Sequence, residues 1–322
     1  MKKKDNFSIL TPKDVLILKK LLEDGRKSSS SISKEIDLGR EIVNYRIKRL
    51  IKENLIVKFI PKVNEEALNY KEYIILLKLN LNDEISRERF VKEQIGNKYL
   101  VWIVKSASGW DLVIRLYAQS IAEFKDKLNE ILESYSSVLA KYYTIIATDE
   151  IKASEKELIS KQVFNEDFTK NNFKVVKKQD PVELDEKNKE ILHLLEGDAR
   201  IQYKEIAQQL DISSDTVKYR IDKMKSEGII ENFLPVLNYN KLGLIQYAGI
   251  LKFYYLTKDE EKQVCDTIKE CKCVVKAIKN LNSEEFFLTL VFSQDDEVEE
   301  FKNIINSSFE EKIENIELFR ID

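Results

Sequence analysis

The sequence predicts an α+β protein made of two tandem copies of one unit, in which three helices precede a βαββαβ sandwich. The first observation is an internal repeat: shifting the 322-residue chain by 174 residues aligns 10–79 with 184–253 without a gap. The second is that helical spacing of apolar residues gives way to strand-like runs partway through each copy. Identities that carry the repeat include Ile17/Ile191, Leu21/Leu195, Asp24/Asp198, Arg26/Arg200, Val43/Val217, Tyr45/Tyr219, Arg46/Arg220, Phe59/Phe233 and Pro61/Pro235.

The first part of each copy has the pattern of a winged helix-turn-helix. In copy one, apolar residues repeat at helical spacing over 15–22, 32–36 and 43–50, and a strand-like run follows and ends at Pro61. Three helices and a β-hairpin wing are the parts of this domain, so we expect both in each copy.

The second part of each copy alternates strands rich in Ile, Val, Tyr and Phe with amphipathic helices. The order is that of a ferredoxin-like βαββαβ sandwich. The predicted elements are 73–81, 86–95, 100–105, 112–117, 121–134 and 138–147 in copy one, and 245–256, 258–269, 273–278, 286–292, 297–307 and 313–321 in copy two. The resulting domains are 1–64 and 183–238 (winged helix-turn-helix), 65–149 and 239–322 (ferredoxin-like), joined by a polar linker, 150–182, with one helix near 154–162.

Several sandwich strands, such as 73–79 and 286–290, are apolar on both faces. Strands buried on both faces lose alternation, so each sheet should pack on a second partner besides its own helices. We therefore expect the two sandwiches to pair back to back. The pairing occurs either within one chain, as a pseudo-dimer, or between chains in a homo-oligomer, and the sequence leaves both open.

Composition limits the classes of protein that fit. Hydrophobic residues make up 43% and charged residues 34% of the chain, and no apolar stretch approaches the roughly 20 residues that span a bilayer. The N-terminus leads into no signal-peptide core, so a soluble, cytoplasmic protein without membrane contact is expected. Cys265, Cys271 and Cys273 are an odd, crowded set that fits ordinary reduced thiols, and neither a metal nor a cofactor is expected.

Charge is distributed unevenly although the net charge is only −3. Residues 1–62 contain 16 basic and 8 acidic side chains, a net of +8, whereas 183–236 contain 8 and 12, a net of −4. A basic first domain favours a nucleic-acid partner, here double-stranded DNA.

Copy two resembles the Lrp/AsnC family of feast/famine transcriptional regulators. The residues that carry the resemblance include Asp198-Ala199-Arg200, Glu205-Ile206-Ala207, Gly228-Ile229-Ile230 and Leu242-Gly243. Copy one is similar at greater distance, with Asp24-Gly25-Arg26 but Asn54 in place of Gly228. The resemblance implies DNA binding by a dimer of the helix-turn-helix domains, with α/β domains that pair subunits and sense amino acids or related metabolites.

The third helix of copy one is the expected recognition helix. With Val43, Ile47 and Leu50 turned inward, arginine and asparagine near its start can read guanine and adenine, and its lysines can contact phosphates. Lys62 and the Lys2–Lys4 tail extend the basic surface. In copy two, Asp215 and Asp222 face outward and weaken the same surface. The predicted DNA-binding residues are Arg40, Asn44, Tyr45, Arg46, Lys48, Arg49, Lys52 and Lys58 in copy one, and Lys218 and Arg220 in copy two.

The resemblance also implies an effector loop, in which a glycine is followed two residues later by an aspartate. In copy one Ser108, Gly109 and Asp111 fit this pattern and are the predicted effector-binding residues. Copy two has Ser283, Glu284 and Glu285 at the same offset and departs from it. The bland alternative for the copy-one loop is a tight hairpin turn that the aspartate caps.

These patterns predict a sequence-specific DNA-binding transcriptional regulator that is not an enzyme. One alternative is a decarboxylase of siroheme, because such enzymes use the same pair of folds; they depend on histidines in the α/β domain, whereas His193, the one histidine, lies in the first helix of copy two. The other is a protein-interaction module without DNA binding. The net charge of +8 on the first domain counts against that alternative.

Overall fold

The computed structural model of the chain describes residues 10–80, 100–134, 136–153, 182–282 and 284–321. The predicted helices at 86–95 and 154–162, the Lys2–Lys4 tail and Ser283 lie outside these ranges. The chain forms two compact units, and each draws on both copies of the repeat. The head unit combines Met1–Asn69 with Glu155–Leu244, and the sheet unit combines Tyr70–Ser154 with Ile245–Asp322.

The described elements keep the order that the repeat predicts. Copy one contains α1 (Pro12–Glu23), α2 (Ser29–Glu35), α3 (Arg40–Lys52), β1 (Ile56–Val63), β2 (Lys71–Leu79), β3 (Leu100–Lys105), β4 (Leu112–Ala118), α4 (Ile121–Ser134) and β5 (Leu139–Ala153). Copy two contains α5 (Glu186–Gly197), α6 (Tyr203–Leu210), α7 (Ser214–Ser226), β6 (Ile230–Leu237), β7 (Ile245–Phe253), α8 (Lys258–Glu270), β8 (Val274–Asn280), β9 (Glu285–Phe292), α9 (Asp296–Phe309) and β10 (Ile313–Ile321). A short 3₁₀ turn, Glu66–Leu68, precedes β2. No helix in the described ranges has the length and apolar character to cross a membrane.

The strand after each third helix pairs with its counterpart in the other copy. Strands β1 and β6 form a two-stranded antiparallel ribbon in which Ile60 lies opposite Leu234, Phe59 opposite Pro235 and Pro61 opposite Phe233. Within the described residues neither copy forms the β-hairpin that the sequence predicts, and that expectation is wrong. Each copy supplies a single strand, so the backbone hydrogen bonds of the wing are completed only between copies.

The turns after α1 and α5 join the two copies through reciprocal contacts. The guanidinium of Arg26 donates to the carbonyls of Ala199 (2.7 Å) and Ile201 (3.1 Å). In the opposite direction, Arg200 donates to the carbonyl of Lys27 (2.8 Å). Hydrogen bonds from a charged donor are about twice as strong as neutral ones, so this arginine lock ties the two turns together.

Aromatic side chains of the ribbon support both arginines. Arg200 lies 4.9 Å from the ring centroid of Phe59, and Arg26 lies 5.4 Å from that of Phe233. The carbonyls of these two phenylalanines accept the N–H groups of Ala199 and Gly25, respectively. The identical pairs Arg26/Arg200 and Phe59/Phe233 therefore join one copy to the other.

Removing the lock should destabilise the head unit. We expect Arg26→Ala to lower the free energy of unfolding by about 1.5–3 kcal/mol, because two charge-assisted hydrogen bonds are lost. Arg26→Lys should recover only part of this, since an ammonium cannot reproduce the guanidinium fork. Urea denaturation measures both changes. Lys204→Ala, which truncates an exposed lysine on α6, serves as the control, and an equal loss there would contradict the assignment.

The sheet unit contains one eight-stranded sheet in the order β10-β7-β9-β8-β5-β2-β4-β3. Each copy contributes four neighbouring strands in ferredoxin-like order, and the end of β5, Ala147–Ala153, joins them by pairing with β8. On β2, alternate residues such as Tyr73 and Ile75 pack against α4, whereas Ile74 and Leu76 enter a second cluster.

That second cluster is shared by the two copies. It is lined by Ile74, Leu76, Trp110, Val113 and Ile145 of copy one and by Ala248, Ile250, Ile278, Phe287, Phe319 and Ile321 of copy two. The loss of alternation in the strands thus has the predicted physical cause, since the second face of each copy's four strands packs against the other copy of the same chain.

A chain cut after residue 153 should lose this shared core. Its copy-one half would expose the buried side chains of β2 and β4, and an apolar surface of that extent drives association. We expect the fragment 1–153 to self-associate or precipitate in sedimentation experiments under conditions in which the full chain does neither. A fragment that stays monomeric at high concentration would show that the cluster does not hold the copies together.

Candidate nucleic-acid interface

Helix α3 presents a basic face to solvent. Val43, Ile47 and Leu50 are buried against the head unit, as its spacing predicts. On the opposite side Arg40, Tyr45, Lys48 and Lys52 are exposed, and Asn44 is half-buried beside them. Among these side chains, Tyr45 is 68% exposed.

Two of the predicted DNA contacts on α3, Arg46 and Arg49, form ion pairs with a buried carboxylate. Arg46 donates to Oδ1 of Asp14 (2.9 Å) and to the hydroxyl of Thr11 (2.8 Å), and Arg49 donates to Oδ2 of Asp14 (2.7 Å). Asp14 is fully buried. Both guanidinium groups therefore anchor α3 to the start of α1.

Asp14 has a second role as part of a capping box. Its carboxylate accepts the N–H of Thr11, whose hydroxyl in turn accepts the N–H of Asp14. Burial opposes the ionisation of Asp14, but the hydrogen bonds from Thr11 and Arg46 and the charge of Arg49 outweigh it and hold the pKa of Asp14 below its ordinary value. The Thr-x-x-Asp spacing before an apolar helix is a visible capping signal, yet it does not indicate that the aspartate also binds two arginines.

Neutralising Asp14 should release the recognition helix. We expect Asp14→Asn to lower the free energy of unfolding at pH 7 by about 2 kcal/mol, because hydrogen bonds to a charged group are weakened. Because the pKa of Asp14 is lowered in the folded state, the ionised carboxylate stabilises the protein fully at pH values above the ordinary pKa of 3.8. This stabilisation is lost as the pH falls through the pKa of the folded state. The difference between variant and wild type should therefore shrink below that pH.

The control for this experiment is Glu41→Gln. It removes the same charge from an exposed position on α3 and should leave stability within about 0.5 kcal/mol of wild type. Chemical denaturation across pH 2–8 measures both variants. A gap between Asp14→Asn and wild type that stays constant at low pH would contradict the role of the ionised carboxylate.

Helix α7 of copy two buries the equivalent side of the helix but exposes different side chains from those of α3. Lys218, Tyr219, Asp215 and Asp222 are exposed, and Tyr219 is 67% exposed, like its counterpart in α3. Arg220, a predicted DNA contact, donates to Asp185 (2.6 Å) and to the side-chain oxygen of Asn188 (3.0 Å). It anchors α7 to the start of α5, as Arg46 anchors α3.

The predicted contacts on the ribbon also lie between the two copies. The ammonium of Lys58 donates to the carbonyl of Glu196 (3.2 Å), and that of Lys62 pairs with Glu231 (2.9 Å). Lys58 is still exposed on β1. Among the predicted DNA contacts, the exposed cations are thus Arg40, Lys48 and Lys52 on α3, Lys58 on the ribbon and Lys218 on α7.

The predicted effector loop connects β3 to β4 in the sheet unit. Asp111 is only 3% exposed, and its Oδ2 accepts the N–H of Leu79 (2.8 Å) and lies 3.3 Å from Nζ of Lys78. Gly109 has a φ of +71°, and the carbonyl of Ser108 accepts the hydroxyl of Ser106 (2.8 Å).

A carboxylate that the sequence does not point to lies beside this loop. A Cβ added to Gly109 would come within 3.3 Å of Oε1 of Glu317, a residue of β10 in copy two. In copy two, Glu285 occupies the position of Asp111, pairs with Lys252 (2.9 Å) and accepts the hydroxyl of Tyr143 from copy one. The sequence repeat alone does not show which strand of the other copy faces each loop.

Comparison with known proteins places these features in a family. The pattern of a winged helix-turn-helix DNA-binding family matches residues 10–57 and 184–231, which are equivalent stretches of the two copies. An uncharacterized HTH-type transcriptional regulator of Pyrococcus horikoshii is 34% identical over 128 residues, which cover 38% of this chain and 85% of the relative. The chain belongs to the Lrp/AsnC family of HTH-type transcriptional regulators.

Other relatives agree with this assignment. A regulator of Pyrococcus furiosus is 31% identical over 128 residues (38% of this chain, 85% of the relative), and the HTH-type transcriptional regulator LrpA of P. horikoshii is 30% identical over 117 residues (35% and 79%). Each of these stretches is shorter than the 174-residue offset between the two copies. The chain is a DNA-binding transcriptional regulator.

A solved structure matches both copies together. The siroheme decarboxylase NirDL superposes with a TM-score of 0.62 and 15% sequence identity, covering 95% of this chain and 90% of its own. A second structure of that enzyme, in complex with an iron-uroporphyrin III analogue, gives 0.63. At this identity the likeness establishes a shared fold, and function has to be argued from the residues.

Proposed function

We propose that this regulator binds duplex DNA chiefly through α3 of copy one. The observation that carries the proposal is the exposed set of cations and polar groups around Tyr45 on a helix whose other face is buried. Arg40 and Asn44 stand at the start of the helix, where such side chains can read guanine and adenine edges. Lys48 and Lys52 follow on the exposed side and suit phosphate contacts, which supply salt-dependent affinity.

Copy two contributes less affinity in this proposal. Lys218 is exposed on α7, but Asp215 and Asp222 place carboxylates on the same surface, and a carboxylate facing phosphates is repelled. Arg46, Arg49 and Arg220 position the two helices through their ion pairs at α1 and α5. Charge reversal at these arginines would disturb packing, so the lysines of α3 are the cleaner probes of DNA contact.

The double substitution Lys48→Glu and Lys52→Glu should abolish binding at physiological salt. Each phosphate contact contributes about one to the slope of log K against log salt, so the slope measured at low salt should fall by about two. Fluorescence anisotropy with labelled duplex over a salt series gives both numbers. Lys241→Glu with Lys258→Glu reverses the same charge at exposed positions off the recognition helices and is the matched control. Equal losses in the two variants would mean that overall charge, not α3, binds DNA.

We propose that the chain is a regulator without decarboxylase activity, although it shares the fold of NirDL. The support is its histidine content: His193 is the one histidine of the sequence, and it lies on α5 of the head unit with its side chain 86% exposed. Neither ferredoxin-like domain has an imidazole for chemistry on a tetrapyrrole. Purified protein should show no haem-precursor absorbance, and it should not decarboxylate added siroheme.

We also propose an amino-acid effector at the loop of Ser108, Gly109 and Asp111, with Glu317 as the acceptor for its ammonium group. Asp111 already accepts a buried backbone N–H and lies beside Lys78, whereas the carboxylate of Glu317 lies next to the α-carbon of Gly109. A glycine at this point lets a ligand approach the backbone closely.

Calorimetric titration with a panel of free amino acids tests the effector proposal. Wild type and Asp111→Asn, which retains the oxygen that accepts the N–H of Leu79, should both give heat with the same ligand. Glu317→Gln should lose it, because the charge that pairs with the ammonium is gone. Absence of heat from every amino acid with the wild-type chain, or heat that survives in Glu317→Gln, would contradict this placement.

A further inference from the structure

We infer that one chain of this regulator reads a DNA site with two unlike halves, one under α3 and the other under α7. The inference rests on the proposed function, since it assumes that the head unit binds duplex DNA. It goes further by assigning a polarity to the site. The basis is that the two recognition helices have equivalent frames and different exposed side chains.

The two recognition helices are held in equivalent positions because equivalent contacts build both halves of the head unit. The β1–β6 ribbon is centred on Ile60 and Leu234, which are equivalent residues of the repeat. The arginine lock runs in both directions, from Arg26 and from Arg200. In helix-turn-helix dimers the operator is palindromic because the protein that binds it has two-fold symmetry. Here the backbone contacts have that symmetry, so two half-sites at a fixed spacing are expected.

The surfaces of the two helices share one part. Tyr45 and Tyr219 occupy the same position and are 68% and 67% exposed. Glu41 and Asp215, in the first turns of the helices, are both exposed carboxylates, which can accept a hydrogen bond from cytosine N4. This shared part predicts a common core in both half-sites.

The remainder of the two surfaces differs in kind. The α3 positions Arg40, Asn44 and Lys48 correspond to Ser214, Lys218 and Asp222 on α7. Asparagine favours adenine and lysine favours guanine, so the step under Asn44 should differ in sequence from the step under Lys218. Replacing Lys48 by a carboxylate turns a phosphate contact into a repulsion. The half-site under α7 should therefore be bound more weakly and read differently.

The polarity is fixed within one chain. Both helices belong to the same polypeptide and the same unit, so the unlike surfaces always occur together in a one-to-one ratio. A homodimer cannot do this, because a substitution in one subunit appears in both. The operator should thus be non-palindromic and should determine the orientation of the bound protein.

Selection of duplexes from random DNA with the full-length chain tests this. We expect a motif with two different half-sites around a common core, bound by one chain per duplex. Two palindromes are then built, one from each half-site. Each mismatched pair typically changes affinity about tenfold, so the selected asymmetric duplex should bind at least about tenfold tighter than either palindrome.

A substituted chain provides the second arm. Lys218→Asn with Asp222→Lys copies the α3 residues onto α7 and should shift preference toward the palindrome made of two α3 half-sites. Lys258→Asn with Glu311→Lys makes the same change in net charge at exposed positions in the sheet unit and should leave the preference unchanged.

The possible failures are distinguishable. A palindromic motif, or a single half-site with no preference under α7, would overturn the inference and leave DNA binding by the head unit intact. A chain that binds no duplex at low salt and enriches no motif would instead overturn the proposed function, and the inference with it.

Discussion

Strand β1 has no partner in its own copy within the described residues, and an isolated strand leaves a row of backbone donors and acceptors unpaired. It pairs with β6, so the two helix-turn-helix domains cannot be assembled independently of each other. The arginine lock and the phenylalanine rings of the ribbon surround this pairing and use the same residue types in both directions. The position of both recognition helices follows from this constraint.

In the sheet unit the two copies are joined by buried apolar surface. A ferredoxin-like sheet has helices on one face only, and here the other face of each sheet lies on a cluster to which both copies contribute. With both interfaces formed inside one chain, the two copies are free to diverge where they face solvent. The copies share Arg26/Arg200 and Phe59/Phe233 at the interface, and they differ at Lys48 and Asp222 on the recognition helices.

Residue patterns predicted the element order and the need of each sheet for a second partner, because spacing and loss of alternation are local properties. The β-hairpin wing that they predict within each copy is wrong, since a strand-like run does not reveal that its partner lies in the other copy. A helical wheel places Arg49 on the exposed side of α3 and Arg46 at its edge. Both side chains are long enough to fold back, and both reach the buried carboxylate of Asp14. No sequence pattern marks Glu317, because only the three-dimensional pairing of the copies brings it to Gly109.

The two DNA-binding heads of one chain pair with each other through the β1–β6 ribbon. This pairing can be tested by placing cysteines at Lys58 and Val236, which are paired across the ribbon, in a chain whose three native cysteines are replaced. A short thiol cross-linker should then close a loop within each monomer, with a yield independent of protein concentration. Covalent dimers that increase with concentration, with little cross-link inside the monomer, would show that the ribbon forms between chains and would contradict the account.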